Sequence, residues 1–121
     1  MSAVILLGVG MLGGMGAVGR FLLDAAVARR VGRAFPFGTL AVNLSGALVL
    51  GVLTGVALSG DAYRLWGIGL IGAYTTFSTW ALESHRLAEE GEGRLGALNF
   101  AVSLVLGVLV AWLGRELGAA L

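Results

Sequence analysis

The chain contains no cysteine and no lysine, one histidine and one proline in 121 residues. Without cysteine there is no disulfide, no thiol nucleophile and no thiolate metal site, and the redox compartment leaves no trace. A lone His85 beside Glu83, Arg86, Glu89 and Glu90 reads as a solvated loop histidine, not a metal ligand. Charge is scarce as well. Asp, Glu, Lys and Arg make up 12% of the chain, against about 25% in a soluble domain. The net charge of +1 gives no electrostatic footing for nucleic acid. No Ser/His/Asp set, paired carboxylate or phosphate-cradling loop is present, so the chain is not read as an enzyme. No basic residue precedes Arg20, so the start lacks the basic segment of a cleaved signal peptide. The first apolar stretch is expected to be a retained span.

What is abundant is apolar surface, at 58% of residues, and glycine, at 21 residues. Four spans can be drawn, from about Ala3 to Ala28, Phe37 to Leu58, Leu65 to Leu82 and Leu95 to Leu113. Each is near the ~20 residues that a helix needs to cross a bilayer. The linkers Arg29–Pro36, Ser59–Arg64 and Glu83–Arg94 hold most of the charge. Arg29, Arg30 and Arg33 read as a juxtamembrane anchor, Glu89–Arg94 as a solvated turn, and Pro36 suits the first turn of the second helix. The expected fold is a single all-α membrane domain over residues 1–121. One unit of four short helices is too thin to enclose a pore, so transport would require an oligomer.

The glycine pairs Gly10/Gly14, Gly51/Gly55 and Gly114/Gly118 have the small-xxx-small spacing that brings helix backbones close in lipid. Gly8–Gly13 also fits G-x-G-x-x-G. No strand precedes it, and Arg33 stands near the place of the required acid, which excludes a dinucleotide site. Asn43-Leu44-Ser45 matches a glycosylation sequon, but it lies inside a span.

The run Gly72-Ala-Tyr-Thr-Thr-Phe-Ser-Thr-Trp80 lies within the third span. Thr75, Thr76, Ser78 and Thr79 crowd hydroxyls where a lipid-facing helix has no use for them. Polar groups at membrane depth are tolerated where they are buried or line a wet cavity. The run points to a path or site for something small and polar. Asn43 has Thr39 one turn before it on the same face. Its amide either ties helices together or lines a pore. Arg20 is the one charge well inside a span. It either snorkels, with Asp24 at i+4 as a partner, or draws an anion into a vestibule. Asn99 and Ser103 lie one turn apart in the fourth span, with Gly107 extending the line, and Phe77 and Trp80 share a face at i, i+3.

Three blocks in this order resemble the Fluc (CrcB) fluoride channel family across nearly the whole chain. They are Gly13-Gly-Met-Gly-Ala-Val-Gly-Arg20, Phe35-Pro-Phe-Gly-Thr-Leu-Ala-Val-Asn43 and Gly72–Trp80. The resemblance implies an antiparallel, dual-topology dimer of four-span subunits in a prokaryotic inner membrane, with two narrow pores that let fluoride leave passively. It implies a third helix broken mid-membrane, where the carbonyls of Gly72 and Thr75 hold a structural Na⁺. Asn43 would donate to the anion, and Phe77 and Trp80 would present ring edges. Thr39, Thr76, Thr79 and Ser103 would line the path, with Arg20 at the vestibule. A ring edge is the positive part of the aromatic quadrupole, and only convergent donors in a dry site could replace fluoride's water.

The chain departs from the family pattern at Trp80, where a second phenylalanine is usual, at Ala73-Tyr74, and at Gly107, where some members have a hydroxyl. Indole is wider than phenyl, but its N–H is a true donor. Two other readings remain. A non-conducting subunit would pair with an inverted paralogue. A small multidrug exporter would need a membrane-embedded carboxylate, and Asp24 lies near the end of its span.

Overall fold

The computed structural model describes residues 1–121 and is helical almost throughout. Helix α1 spans Ala3–Val31. The Ser2 hydroxyl accepts from the Ile5 N–H at 3.2 Å and caps its first turn. Gly32, at φ +79°, ends it by donating to the Ala28 carbonyl at 2.8 Å. The helix therefore outlasts the expected end at Ala28 and takes Arg29 and Arg30 into its last turn, where cations offset the helix dipole. Helix α2 spans Phe37–Gly55, with Pro36 as the residue before the first turn instead of within it. It stops short of the expected Leu58 because Ala57 turns to φ +59° and Leu58 N–H folds back onto the Leu53 carbonyl at 3.0 Å.

The third segment is one rod with a break. Helix α3 (Gly60–Ala62) runs into a π-helical stretch, Tyr63–Ile71, and then into α4 (Gly72–Tyr74). The Gly72 N–H reaches five residues back to the Gly67 carbonyl, the π-helical pattern. Thr75 is extended, at φ −81°, ψ 161°, and the chain resumes as α5, Ser78–Glu89. Neither piece has the ~20 residues of a full span. Three helices, α1, α2 and α6 (Gly93–Ala119), are long and apolar enough to cross a membrane. Helix α5 continues past Leu82 because its second half is amphipathic. There exposed His85 pairs with Glu89 at 2.9 Å, one turn away on a helix and not in a loop.

Glycine decides how these rods pack. Helices α2 and α6 make the most extensive contact in the molecule. They cross where Gly51 and Gly55 meet the backbone around Ala111–Ala119, and where Gly114 and Gly118 meet that of Leu48–Gly55. A methyl group at any of the four would collide with a carbonyl of the opposite helix. Two of the three small-xxx-small pairs thus form this one seam. The third, Gly10/Gly14, has open space beyond it. Helix α1 packs against the rod instead through Gly13, next to the Gly69 carbonyl, and Gly16, on the Leu70 carbonyl.

Burial is thin. Among large side chains only Val42 and Asn99 are fully enclosed, while Leu7, Met11, Met15, Leu104, Val108 and Trp112 point outward. An outer surface this apolar suits lipid or another apolar helix.

Candidate functional site

The break is held by Asn43. Its Oδ1 accepts the Thr76 N–H and its Nδ2 donates to the Thr76 carbonyl, both at 2.8 Å. One side chain of α2 thereby satisfies both polar groups of a peptide that has left its helix, as buried backbone requires. The neighbours are fixed as well. Thr75 Oγ1 donates to the Ile71 carbonyl at 3.1 Å, and its methyl fills the room left by Gly46. The Tyr74 hydroxyl lies 2.8 Å from Ser45 Oγ, which in turn donates to the Val42 carbonyl. The Thr79 N–H donates to Thr76 Oγ1 at 3.1 Å and starts α5, and that hydroxyl donates to Thr79 Oγ1 at 3.2 Å.

These bonds redirect two donors. In an unbroken helix the Thr76 N–H would bond to the Gly72 carbonyl and the Thr79 N–H to that of Thr75. Here the first goes to Asn43 and the second to Thr76 Oγ1. The carbonyls of Gly72 and Thr75 are deprived of their helical partners at the same break. Neutral oxygens with free lone pairs are the donor type that a hard alkali cation takes, so these two fit the expected sodium ligands.

Two cavities flank the break. The larger, about 410 Å³, is an open groove between α2, α6 and the break; Asn43, Thr75, Thr76, Phe77, Trp80 and Ser103 lie on its wall. The smaller, about 250 Å³, is lined by Arg20, Asp24, Thr39, Thr76 and Thr79 among others. Thr76 belongs to both. Every pathway or vestibule residue expected from the sequence therefore faces one of two cavities that share a wall, and a cation and hydroxyls stand at one end of the line. Ser103 Oγ also reaches Asn99 Oδ1 at 3.5 Å.

The aromatic pair is asymmetric. Phe77 is 72% exposed and projects from the break, whereas Trp80 is 7% exposed. Their ring centroids are 5.0 Å apart at 76°, an edge contact. The indole N–H donates to the Asn99 backbone carbonyl at 3.3 Å, so that donor is committed within the chain.

The expected pairing of Arg20 with Asp24 is corrected. The Asp24 carboxylate lies 3.7 Å from Arg33 and over Gly38, at the start of α2. That position favours an anion through the helix dipole. Helical spacing alone suggested the wrong cation, because the α1–α2 linker folds Arg33 back. Glu83, one turn beyond Trp80, is a further candidate. One of its carboxylate oxygens is buried without a hydrogen-bond partner, beside a cavity of about 370 Å³ that Arg33 and Arg86 also line. Its only sequence signal was a carboxylate at i+3 from the aromatic pair.

The family model of CrcB-like protein, Camphor Resistance (CrcB), matches residues 7–115. The Fluoride-specific ion channel FluC 2 of Mycolicibacterium paratuberculosis is 53% identical over 116 residues, covering 96% of this chain and 95% of that protein. The Fluoride-specific ion channel FluC 1 of Symbiobacterium thermophilum is 46% identical, covering 91% and 94%. The Fluoride-specific ion channel FluC of Pseudoalteromonas translucida is 39% identical, covering 87% and 92%.

Proposed function

This chain belongs to the CrcB-like protein family, and on that premise we propose that it is a fluoride-selective passive ion channel. It is a multi-pass membrane protein, and we assign it to a prokaryotic inner membrane, where it lets cytoplasmic fluoride out. Hydrogen fluoride crosses bilayers neutral and ionises inside, so a passive anion path is enough to clear it. The relatives favour this reading over a multidrug exporter.

The observation that carries the proposal is the break pinned by Asn43, with a cavity on either side and Thr76 in the shared wall. Fluoride is small and strongly hydrated, and leaving water requires several donors already in place. Asn43 Nδ2 has a second proton after bonding to Thr76, and the Thr79 hydroxyl accepts from Thr76 with its own proton free to donate. Arg20 supplies positive charge in the smaller cavity, and Phe77 and Trp80 lie on the wall of the open groove.

The groove is open along one side, and Phe77 stands out from the chain. We infer that a second, inverted copy covers it, giving an antiparallel dimer with two pores, in which the broken segment serves as the fourth span of each subunit. The carbonyls of Gly72 and Thr75 are the proposed ligands of a structural Na⁺. The ion would supply a fixed positive charge that ties the break down.

A second reading keeps the family and changes the role: a subunit that conducts poorly alone and pairs with an inverted paralogue. The committed indole N–H of Trp80 and the numbered relatives, FluC 1 and FluC 2, are compatible with it. Purified protein in liposomes, read with a fluoride electrode, tests both. Fluoride release with chloride retained supports the channel. Comparable chloride release defeats selectivity, and no release from this chain alone favours the partner subunit.

A further inference from the structure

Trp80 is held from both ends by one residue of the next helix. Its indole Nε1–H donates to the Asn99 carbonyl at 3.3 Å. Its own backbone carbonyl accepts from Ser84 Oγ at 2.9 Å, and Asn99 Nδ2 donates to that same hydroxyl at 2.8 Å. The bonds close a ring through Trp80, Ser84 and Asn99. All three residues are buried, and Asn99 is 1% exposed. The indole faces are occupied too: Phe100 stacks at 4.6 Å and 20°, and Phe77 meets the ring edge-on.

This arrangement is specific to a tryptophan. A phenyl ring has no N–H to offer the Asn99 carbonyl, so no hydrogen bond would fix its rotation against α6. A buried indole N–H and a buried amide each need a partner: the indole N–H takes the backbone carbonyl of Asn99, and the Asn99 amide takes the Ser84 hydroxyl. Here the two needs are met together, so the ring angle is set from α6 and not from α5, which carries the residue.

We propose that Asn99 is a positioning residue of the anion path. Its side-chain amide locks α6 to α5 at Ser84, which holds the Asn99 backbone carbonyl opposite the indole N–H; this fixes the angle at which Trp80 meets Phe77 and keeps the indole N–H directed at α6 instead of at the groove. Selectivity then depends on a buried amide that the ion never touches. The proposal rests on the reading of the groove as a fluoride path, but the ring geometry can be tested without it.

The test uses the full-length protein with Trp66→Phe and Trp112→Phe, both exposed positions, so that Trp80 is the single emitter. Asn99→Leu removes the amide, and Ser84→Ala removes only the bridging hydroxyl. Both variants should shift Trp80 emission and raise its quenching by acrylamide. Both should lower the fluoride-to-chloride release ratio by about 5-fold, the size of coupling usual within one hydrogen-bond network. In a Trp80→Phe background, Asn99→Leu should change that ratio by less than about 2-fold, because there is no indole to position. Unmoved emission in both variants overturns the proposal. So does an equal fall of the ratio in the Trp80→Phe background, or complete loss of flux in Trp80→Phe alone, which would put the N–H on the ion. If Asn99→Leu does not fold, Ser84→Ala decides. If the unmodified protein alone releases no fluoride, the partner-subunit reading is favoured, and the emission data still decide the ring geometry.

Discussion

Asn43 and Thr76, 33 residues apart in sequence, exchange two hydrogen bonds of 2.8 Å, donor for acceptor and acceptor for donor. A single amide side chain thus replaces two backbone partners and makes a helix break stable where lipid offers none. The same exchange takes the Thr76 N–H away from the Gly72 carbonyl. Asn43 accordingly has two consequences: it fixes Thr76 in the wall shared by the two cavities, and it prepares the proposed cation ligands beside it.

Asn43→Ala should therefore cost more than an anion contact. It orphans the N–H and carbonyl of Thr76, a penalty of about 2–4 kcal/mol for two part-buried groups. We expect most fluoride flux to disappear and the thermal midpoint of the detergent-solubilised protein to fall. Asn43→Asp retains the acceptor for the Thr76 N–H but places negative charge on an anion path. It should recover part of the midpoint and none of the flux. If both variants conducted normally, Asn43 would be a packing residue only.

Sodium removal gives a second check. With neutral backbone ligands that the proposed second copy covers, exchange should be slow. Protein moved from Na⁺ to a large organic cation is expected to lose flux over time and to regain it when Na⁺ returns. Divalent ions should not substitute, since no carboxylate stands among the proposed ligands. Immediate, unchanged flux after exhaustive replacement would remove the ion from the account.

The glycine seam predicts a contrast between positions that hydropathy cannot distinguish. Gly114→Val and Gly51→Val push side chains into facing carbonyls, and overpacking of this kind costs about 1–3 kcal/mol. Gly14→Ala meets nothing within 4 Å in the single chain and should leave the subunit fold intact, with helix propensity slightly improved. Folded yield and thermal midpoint separate the two groups. If Gly14→Ala instead lowers the dimer fraction on size exclusion, the outer face of α1 touches the second copy.

How far the sequence could be read follows from what each feature depends on. Three of the four expected spans were legible because lipid imposes a length and a composition, with Phe37 as the first residue of α2; the third, Leu65 to Leu82, is not one continuous helix. The hydroxyls crowded into Thr75–Thr79 marked a site for something polar, while the break itself was expected only from the family resemblance. The seam was legible only as spacing: Gly51 and Gly114 met partners, whereas Gly10 and Gly14, equally well spaced, met none. Partners across the fold were not legible. Asp24 chose Arg33 over Arg20, and Trp80 found the carbonyl of Asn99, through loops whose course no local pattern encodes.

Orientation is the last expectation to test. If the termini and the Ser59–Arg64 loop share one side, that side carries Arg64 and Arg115, and the other carries Arg29, Arg30, Arg33, Arg86 and Arg94. Arg20 is left out as intramembrane, and the chain has no lysine. Positive residues near span ends bias short loops toward the cytoplasm. Taken alone, five against two would place the termini outside. A homodimer of inverted copies needs both orientations, and a difference of three charges is small enough to leave insertion mixed. The absence of native cysteine makes the measurement clean. Leu121→Cys, at the exposed C-terminus, can be labelled with an impermeant maleimide in intact cells. For the homodimer, about half of the copies should label from outside and the rest only after permeabilisation. Labelling of essentially every copy from outside would defeat the dual-topology homodimer and leave the inverted paralogue as the partner that covers Phe77.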